Sequence, residues 1–510
     1  MNPLVKLLLF LLALPFLLIF FFGLVLPLAV ILLVFSLLIP VFRPFTVFRS
    51  FPGSGQRRRP TEAQPDDGVL DVECTVVETG GRRTGPPRGN RTAAPAGRES
   101  RGETGSMKLN FAETFRPKSG ALAFFVSILV WGVGIGCFMA ALNNYLSEIY
   151  HMNSLDRGCL EFFREMPGLA LVLVLALLHR VSDWKVMRIG TMISMAGAAL
   201  LLVPANKIFV TGFIMIYSLG EHLVMPVRSA IAMQVSREGH AGQSLGYLTG
   251  IMNFGSVAGS AIVAAVFFTG SHWLGLENKL LFDLIWGFIV LLMLVSTLCT
   301  FSRNAPNQPS RRPRLYFHRK FGKFYALELF YGARKQIFLT FAPYVLIKEY
   351  GFSTAAMALL LGICAAVNIF AAPAVGKLTD RFGYRNIMIW DTVILCGVCL
   401  LYGFSGNIFP AGIALAVVCV NFLLDAIIST TALATNIYVR EISSNQDELT
   451  STLSTGISIN HLIAILAAPL GGWVWKQYGI GVLFAFAAVM AVCNSLFAAT
   501  LPKPGTAVRN

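Results

Sequence analysis

From residue 119 onward, apolar residues run in stretches of about twenty, each closed by a short polar turn. A helix rising 1.5 Å per residue needs such a stretch to cross the hydrocarbon core of a bilayer. Twelve follow one another: 121–142, 158–179, 187–205, 208–229, 243–268, 280–301, 325–347, 354–375, 386–404, 409–437, 449–472 and 479–500. The turns between them alternate in charge. Those joining odd to even spans hold only scattered bases, among them Lys207, Lys279, Lys348 and Lys476. The opposite set carries Arg180, Lys185 and Arg188, then Arg228 and Arg237, a basic loop over 302–324, then Lys377, Arg381 and Arg385, and finally Arg440. Bases are retained on the cytoplasmic face, so both ends of this unit are expected there.

The chain also repeats itself at a period near 200. Tyr145, Glu148 and Tyr150 follow the first span as Tyr344, Glu349 and Tyr350 follow the seventh. Asp183 and Arg188 follow the second as Asp380 and Arg385 follow the eighth, and Arg237-Glu238 matches Arg440-Glu441. Two six-helix halves are implied, with a cargo site between them near the midplane.

Between the eighth and ninth spans, residues 376–386 read GKLTDRFGYRN. Gly376 and Gly383 suit a sharp return, and Asp380 lies among Lys377, Arg381 and Arg385, as a charge clamp between helix ends would require. This run resembles the signature loop of the major facilitator superfamily (MFS): Gly, three residues, Asp, a base, any residue, Gly, then bases. Tyr384 stands where the first of those last bases would be. The first-half equivalent, HRVSDWKVMR, keeps Asp183 and Arg188 but has His179 and Val186 in place of the glycines. The resemblance covers 119–510. It implies an all-α membrane protein of two pseudo-symmetric six-helix bundles and twelve transmembrane helices, which moves a small solute by alternating access. Gly376, Asp380, Arg381, Gly383, Arg385, Asp183 and Arg188 are then the gating-loop candidates, with Asp380, Arg381 and Arg385 latching the outward-open state.

Domain boundaries follow from the same pattern. An N-terminal hydrophobic anchor or hairpin is expected over 1–42, where Pro27 divides thirty-six apolar residues too long for one span and too short for two. A basic disordered linker fills 43–118, the N-terminal bundle 119–301, a basic cytoplasmic loop 302–324, the C-terminal bundle 325–500 and a cytoplasmic tail 501–510. Composition agrees: 55% of residues are hydrophobic and 13% charged, about half the charge of a soluble domain. The net charge of +15 is spread between linker and transport unit. Seven of the twenty-six bases after residue 118 fall in the 302–324 loop, which attracts lipid head groups and gives no reason to expect nucleic acid. Nine scattered cysteines imply no disulfide framework, and Cys396 and Cys399 read as small helix-packing residues.

Ionisable residues inside the spans each call for a partner or a role, because burying one costs at least about 2.5–3.5 kcal/mol. Glu161, Arg164 and Glu165 share one helical face, and one base against two acids leaves a carboxylate free to carry a proton. Glu221 and His222 lie mid-membrane in the fourth span, and a period of 203 sets His222 against Asp425 in the tenth. Glu161, Glu165, Glu221, His222 and Asp425 are the proton-coupling candidates. In the seventh span Arg334 and Lys335 diverge by about 100° around the helix. One of them should meet Glu328 or the other half, leaving its neighbour free for an anionic cargo. Asn143, Asn144, Arg164, Asn253, Arg334, Lys335, Gln336, Asn460 and His461 are the cavity candidates. In the fifth span Gly246, Gly250, Gly255 and Gly259 read as a close-packing stripe; the proline of the family's exporter signature is absent from this helix.

No phosphate loop, loop-borne metal cluster or nucleophile–base pair stands out, so neither ATP-driven transport nor catalysis is expected and no cofactor is required. The reading is a monomeric secondary transporter of a small organic solute in the bacterial inner membrane, its partners the solute, protons and membrane lipid. The rival readings are a proton-driven efflux pump for amphiphilic compounds and a transport-inactive sensor or scaffold.

Overall fold

The computed structural model describes residues 114–117, 119–178, 180–238, 240–302 and 317–502. The expected N-terminal anchor, nearly all of the linker and most of the 302–324 loop lie outside them. The described residues divide into two compact units. In the first, Arg237 donates from its backbone N–H to Thr114 O (2.9 Å) and from Nε to Phe115 O (3.1 Å). The second unit holds the membrane bundle and everything described below.

The architecture is all-helical: α1 (Ala121–Glu148), α2 (Ser154–Leu177), α3 (Asp183–Leu200), α4 (Lys207–Val235), α5 (Ala241–His272), α6 (Asn278–Cys299), α7 (Gly322–Tyr350), α8 (Thr354–Phe382), α9 (Tyr384–Ile408), α10 (Ala411–Ile428), α11 (Ala432–Ile442) and α12 (Gln446–Ala499). Among the described residues, eight apolar helical stretches are long enough to cross a membrane by length and composition, α10 and α11 counting as one. Two of the expected spans lie in α12, which is two helices meeting at Gly479, where the backbone is non-helical (φ 85°, ψ 175°). Conversely, the expected tenth span is interrupted. A short 3-10 turn over Ser429–Thr431 separates α10 from α11, where the Thr430 hydroxyl donates to Ile427 O (2.7 Å) and competes with the helical ladder.

Each half packs around its own aromatic core. In the first, Phe138 of α1 stacks on Tyr217 of α4 at 3.9 Å, with Trp286 of α6 edge-on to Phe138. In the second, Phe338 and Phe341 of α7, Tyr402 of α9 and Phe484 of α12 are buried together. The glycine stripe of α5 is half used: Gly255 and Gly259 press onto the α1 backbone, where a Cβ on Gly259 would come within 2.2 Å of Val133 O, whereas Gly246 and Gly250 face open space.

Some local details recur about 200 residues apart. After α1 the Met152 N–H bonds Leu146 O, and after α7 the Phe352 N–H bonds Leu346 O, two hydrogen bonds of the same six-residue reach. The residue that lets each helix end this way is left-handed: His151 (φ 48°) in one half, Gly351 (φ 62°) in the other. Arg188 donates to Thr300 O at the end of α6, and Arg385 to Ala499 O at the end of α12. Each guanidinium thus satisfies a terminal carbonyl and meets the negative end of a helix dipole.

In the arrangement seen here, 376–386 forms no charge clamp among its own residues. The run is not a loop. Helix α8 continues through Phe382 and α9 begins at Tyr384, so Gly376 lies inside a helix and Gly383 alone makes the turn. Asp380 is exposed, with no ion pair to Arg381 or Arg385, while Arg381 lies over the Phe382 ring at 5.3 Å. Asp183 accepts from Gln234 Nε2 at 2.6 Å. Gly383 has φ 80° and ψ 149°, a region open to glycine and strained for any L-residue. Gly383→Ala is expected to cost about 1–3 kcal/mol, read as a lower melting temperature in detergent, while Gly376→Ala, into open space, leaves it unchanged or raised.

Candidate functional site

Between the halves, about midway along α2, lies a chain of buried charge. Glu161 is fully buried. It accepts from Arg157 Nη1 at 2.6 Å and from Arg164 Nε at 2.9 Å and Nη2 at 2.5 Å. Arg157 stands one turn before Glu161, and its Nε is steadied by Asn143 Oδ1 at 3.0 Å. Across the divide, Gln336 Nε2 of α7 donates to Glu161 Oε1 at 3.2 Å and to Thr340 Oγ1 at 2.8 Å.

Glu165 continues the chain. Arg164 Nη2 holds Oε1 at 2.5 Å, and His461 Nδ1 of α12 lies 2.8 Å from Oε2. His222 of α4 brings its ring 5.0 Å from that of His461. The expectation of one base against two acids in α2 is therefore corrected. Arg157 is a second base, and each acid of the pair is held by a guanidinium.

In the second half, Arg334 Nη1 meets Asp425 Oδ1 at 2.5 Å, tying α7 to α10. Of the partners weighed for Arg334, neither Glu328 nor the opposite half is used. Glu328 accepts from Asn460 Nδ2 at 3.2 Å. Lys335 is half-buried, with no hydrogen bond or ion pair among the described residues, and the carboxylates of Glu165 and Glu328 act on it electrostatically without touching it. Glu221 is half-buried in α4 and likewise unpaired. His222 and Asp425, set against each other by the repeat, stand in different networks.

The asparagines divide. Asn143 and Asn144 belong to the connection between the halves: Asn144 Nδ2 donates to Glu148 Oε1 at 2.9 Å and to Phe352 O at 3.0 Å. Asn421 bonds Val417 O in its own helix at 2.9 Å. Asn253 is half-buried in α5. Sequence reasoning missed Asp391, whose Oδ2 accepts from Thr431 Oγ1 at 2.5 Å where the 3-10 turn passes α9.

Bonds between the halves gather at one end of the bundle. Tyr344 OH donates to Met152 O at 2.5 Å, Ser154 Oγ to Gly472 O at 3.2 Å, and Thr354 Oγ1 to Glu148 Oε1 at 3.1 Å. At the opposite end Lys320 pairs with Glu448 of its own half at 3.1 Å, and Arg188 and Arg385 likewise cap helices of their own halves. There, Gly376, Asp380, Asn436, Arg440, Leu449 and Leu453 line a cavity of about 370 Å³.

Comparison with known proteins places this arrangement. A stretch of 153 residues is 26% identical to an uncharacterized transporter, YybO, of Bacillus subtilis; it covers 29% of this chain and 35% of that protein. The match thus spans about a third of the relative's length. Among solved structures, the nucleoside transporter NupG superposes with a TM-score of 0.60 at 12% identity over 74% of this chain and 98% of its own. A D-xylose-proton symporter gives 0.57 at 15% identity over 76% and 98%. A bacterial homologue of the human lysosomal transporter Spinster, in an inward-facing and occupied conformation, gives 0.55 at 15% over 74% and 94%. At such identities the likeness is one of fold. The model of the Major Facilitator Superfamily matches residues 166–439 and 325–510. With that match over more than half its length, the chain belongs to the Major Facilitator Superfamily of membrane transporters.

Proposed function

We propose that this protein is a proton-coupled secondary transporter of a small, carboxylate-bearing organic solute, working by alternating access between two six-helix halves with twelve crossings and cytoplasmic ends. The observation that carries the cargo assignment is the unequal fate of two neighbouring bases. Arg334 is consumed by Asp425, while Lys335 beside it reaches no partner among the described residues. An unpaired ammonium between membrane helices is costly unless something anionic meets it. Its nearest acids are engaged elsewhere, Glu165 by Arg164 and His461 and Glu328 by Asn460.

Proton coupling falls to Asp425. The acids of α2 are each held by a base, whereas Asp425 answers to Arg334 alone, so protonation there releases a helix-to-helix tie and shifts the balance of states. With cytoplasmic chain ends, the end where the halves are bonded faces outward and the arrangement is inward-open. The unpaired Asp380 then belongs to a latch that engages Arg381, Arg385 or Arg440 only when the cytoplasmic ends close.

A thermal-shift screen of the purified protein against a panel of organic acids tests the cargo assignment. Lys335→Gln removes a charge-assisted contact worth about 1.5–3 kcal/mol, so affinity for any stabilising acid should fall about tenfold or more. Undiminished binding by Lys335→Gln, or hits confined to organic cations, would refute it.

A further inference from the structure

Three helices from both halves bring Glu165, His222 and His461 together, with one carboxylate oxygen and two imidazole nitrogens all within 4.8 Å of one another. We propose that this trio is a seat for a divalent transition-metal cation of the zinc or cobalt class, bridging the two halves. The site goes beyond the transport reading and does not depend on it.

The donor set fits such a cation. Two imidazoles and one carboxylate, with a fourth position open, suit a borderline divalent ion and not a hard, all-oxygen one. The orientation of His222 is also suited to it. Its Nδ1 lies 2.8 Å from Ser218 O, a carbonyl that accepts only, so the proton sits on Nδ1. That leaves Nε2 with its lone pair free and directed away from α4, the arrangement a ligating imidazole takes when a backbone carbonyl holds its other nitrogen. Glu165 offers Oε2 because Arg164 has taken Oε1.

Space has been kept at the same spot. Gly168 lies one turn beyond Glu165 on α2, and a Cβ there would stand 2.7 Å from both His222 Nε2 and His461 Nδ1. The void that this missing side chain leaves is bounded by the two proposed ligand atoms, and His461 Nδ1, which now donates to Glu165 Oε2 at 2.8 Å, passes its proton to solvent or to its own Nε2 when it takes the cation. A tetrahedral ion with bonds of about 2.1 Å needs its ligand atoms roughly 3.4 Å apart, so the trio has only to draw in by small side-chain rotations. Because α2 and α4 belong to one half and α12 to the other, a bound ion would hold the halves in the arrangement seen here.

Titrating the purified full-length protein in detergent with Co²⁺ tests this directly, since tetrahedral cobalt absorbs in the visible where octahedral cobalt is nearly colourless. One equivalent should produce the tetrahedral bands, and binding should weaken at least tenfold in His222→Ala and in His461→Ala. Gly168→Ala is the second arm: it keeps all three ligands, adds a residue favourable to a helix, and fills the space. It should abolish the bands while elution and circular dichroism remain those of the parent protein. Absence of a saturable tetrahedral spectrum, or one that survives both His222→Ala and Gly168→Ala, would overturn the proposal and assign the cobalt to other histidines.

Discussion

Replacing Glu161 by alanine should be among the most damaging single changes to this bundle. The carboxylate is fully buried and receives two guanidiniums, Arg157 and Arg164, as well as the amide of Gln336 from the opposite half. Breaking a buried ion pair by removing one partner costs about 3–5 kcal/mol, because the survivor is left charged without compensation. Here Arg157, only 3% exposed, is left without a carboxylate, while Arg164 keeps Glu165 at 2.5 Å. The loss should therefore fall within that range and appear as a sharply lowered melting temperature or failure to recover folded protein. Glu161→Gln keeps the shape and one acceptor oxygen and should lie between alanine and the parent. The double variant Arg157→Met/Glu161→Gln removes the stranded base and leaves Arg164 on Glu165, so it should recover part of the loss relative to Glu161→Ala. A melting temperature of Glu161→Ala equal to that of the parent would show that the network contributes nothing to stability.

The fold was largely legible from the sequence because its determinants are local. Apolar runs of bilayer length and alternating basic turns both act over tens of residues, and most of the helices observed begin up to a turn before the expected spans, though α2, α3 and α6 end before theirs. Arg157 shows what that turn conceals. It lies just before the expected second span at 158, so the face Glu161–Arg164–Glu165 was read without its fourth member one turn earlier. Continuing the helical period backward by four residues would have found it. Arg188 and Arg385 were recognised as equivalent, but their shared task of capping α6 and α12 depends on where those helices end in space, which no pattern around residue 188 or 385 encodes. The turn at Gly383 was misjudged for a related reason: a charged, glycine-bearing run looks like a loop, yet Lys377, Asp380 and Arg381 are compatible with a helix that has left the bilayer. The trio of Glu165, His222 and His461 had no signal at all, since its members were singled out separately and only the packing of α2, α4 and α12 joins them.

The Arg334–Asp425 pair offers the sharpest separation of structure from coupling. Asp425→Ala leaves Arg334, 3% exposed, without its carboxylate, and should cost about 3–5 kcal/mol. Tyr331, whose ring lies 5.2 Å from the guanidinium, offsets little of that. If the pair serves only to join α7 to α10, replacing both members with apolar residues of similar volume, Arg334→Met with Asp425→Leu, should restore stability and leave transport intact, since paired removal of a buried ion pair is often neutral. If the pair carries the proton, the same double variant should regain a parental melting temperature yet lose every response of flux to a pH gradient in liposomes. Asp425→Asn, fixed in the protonated charge state, should then exchange solute across the membrane while failing to concentrate it. The interaction energy of the cycle reports the tie, and the flux reports its purpose. A double variant that is stable and still pumps against a gradient in proportion to external acidity would move the proton-carrying role away from Asp425.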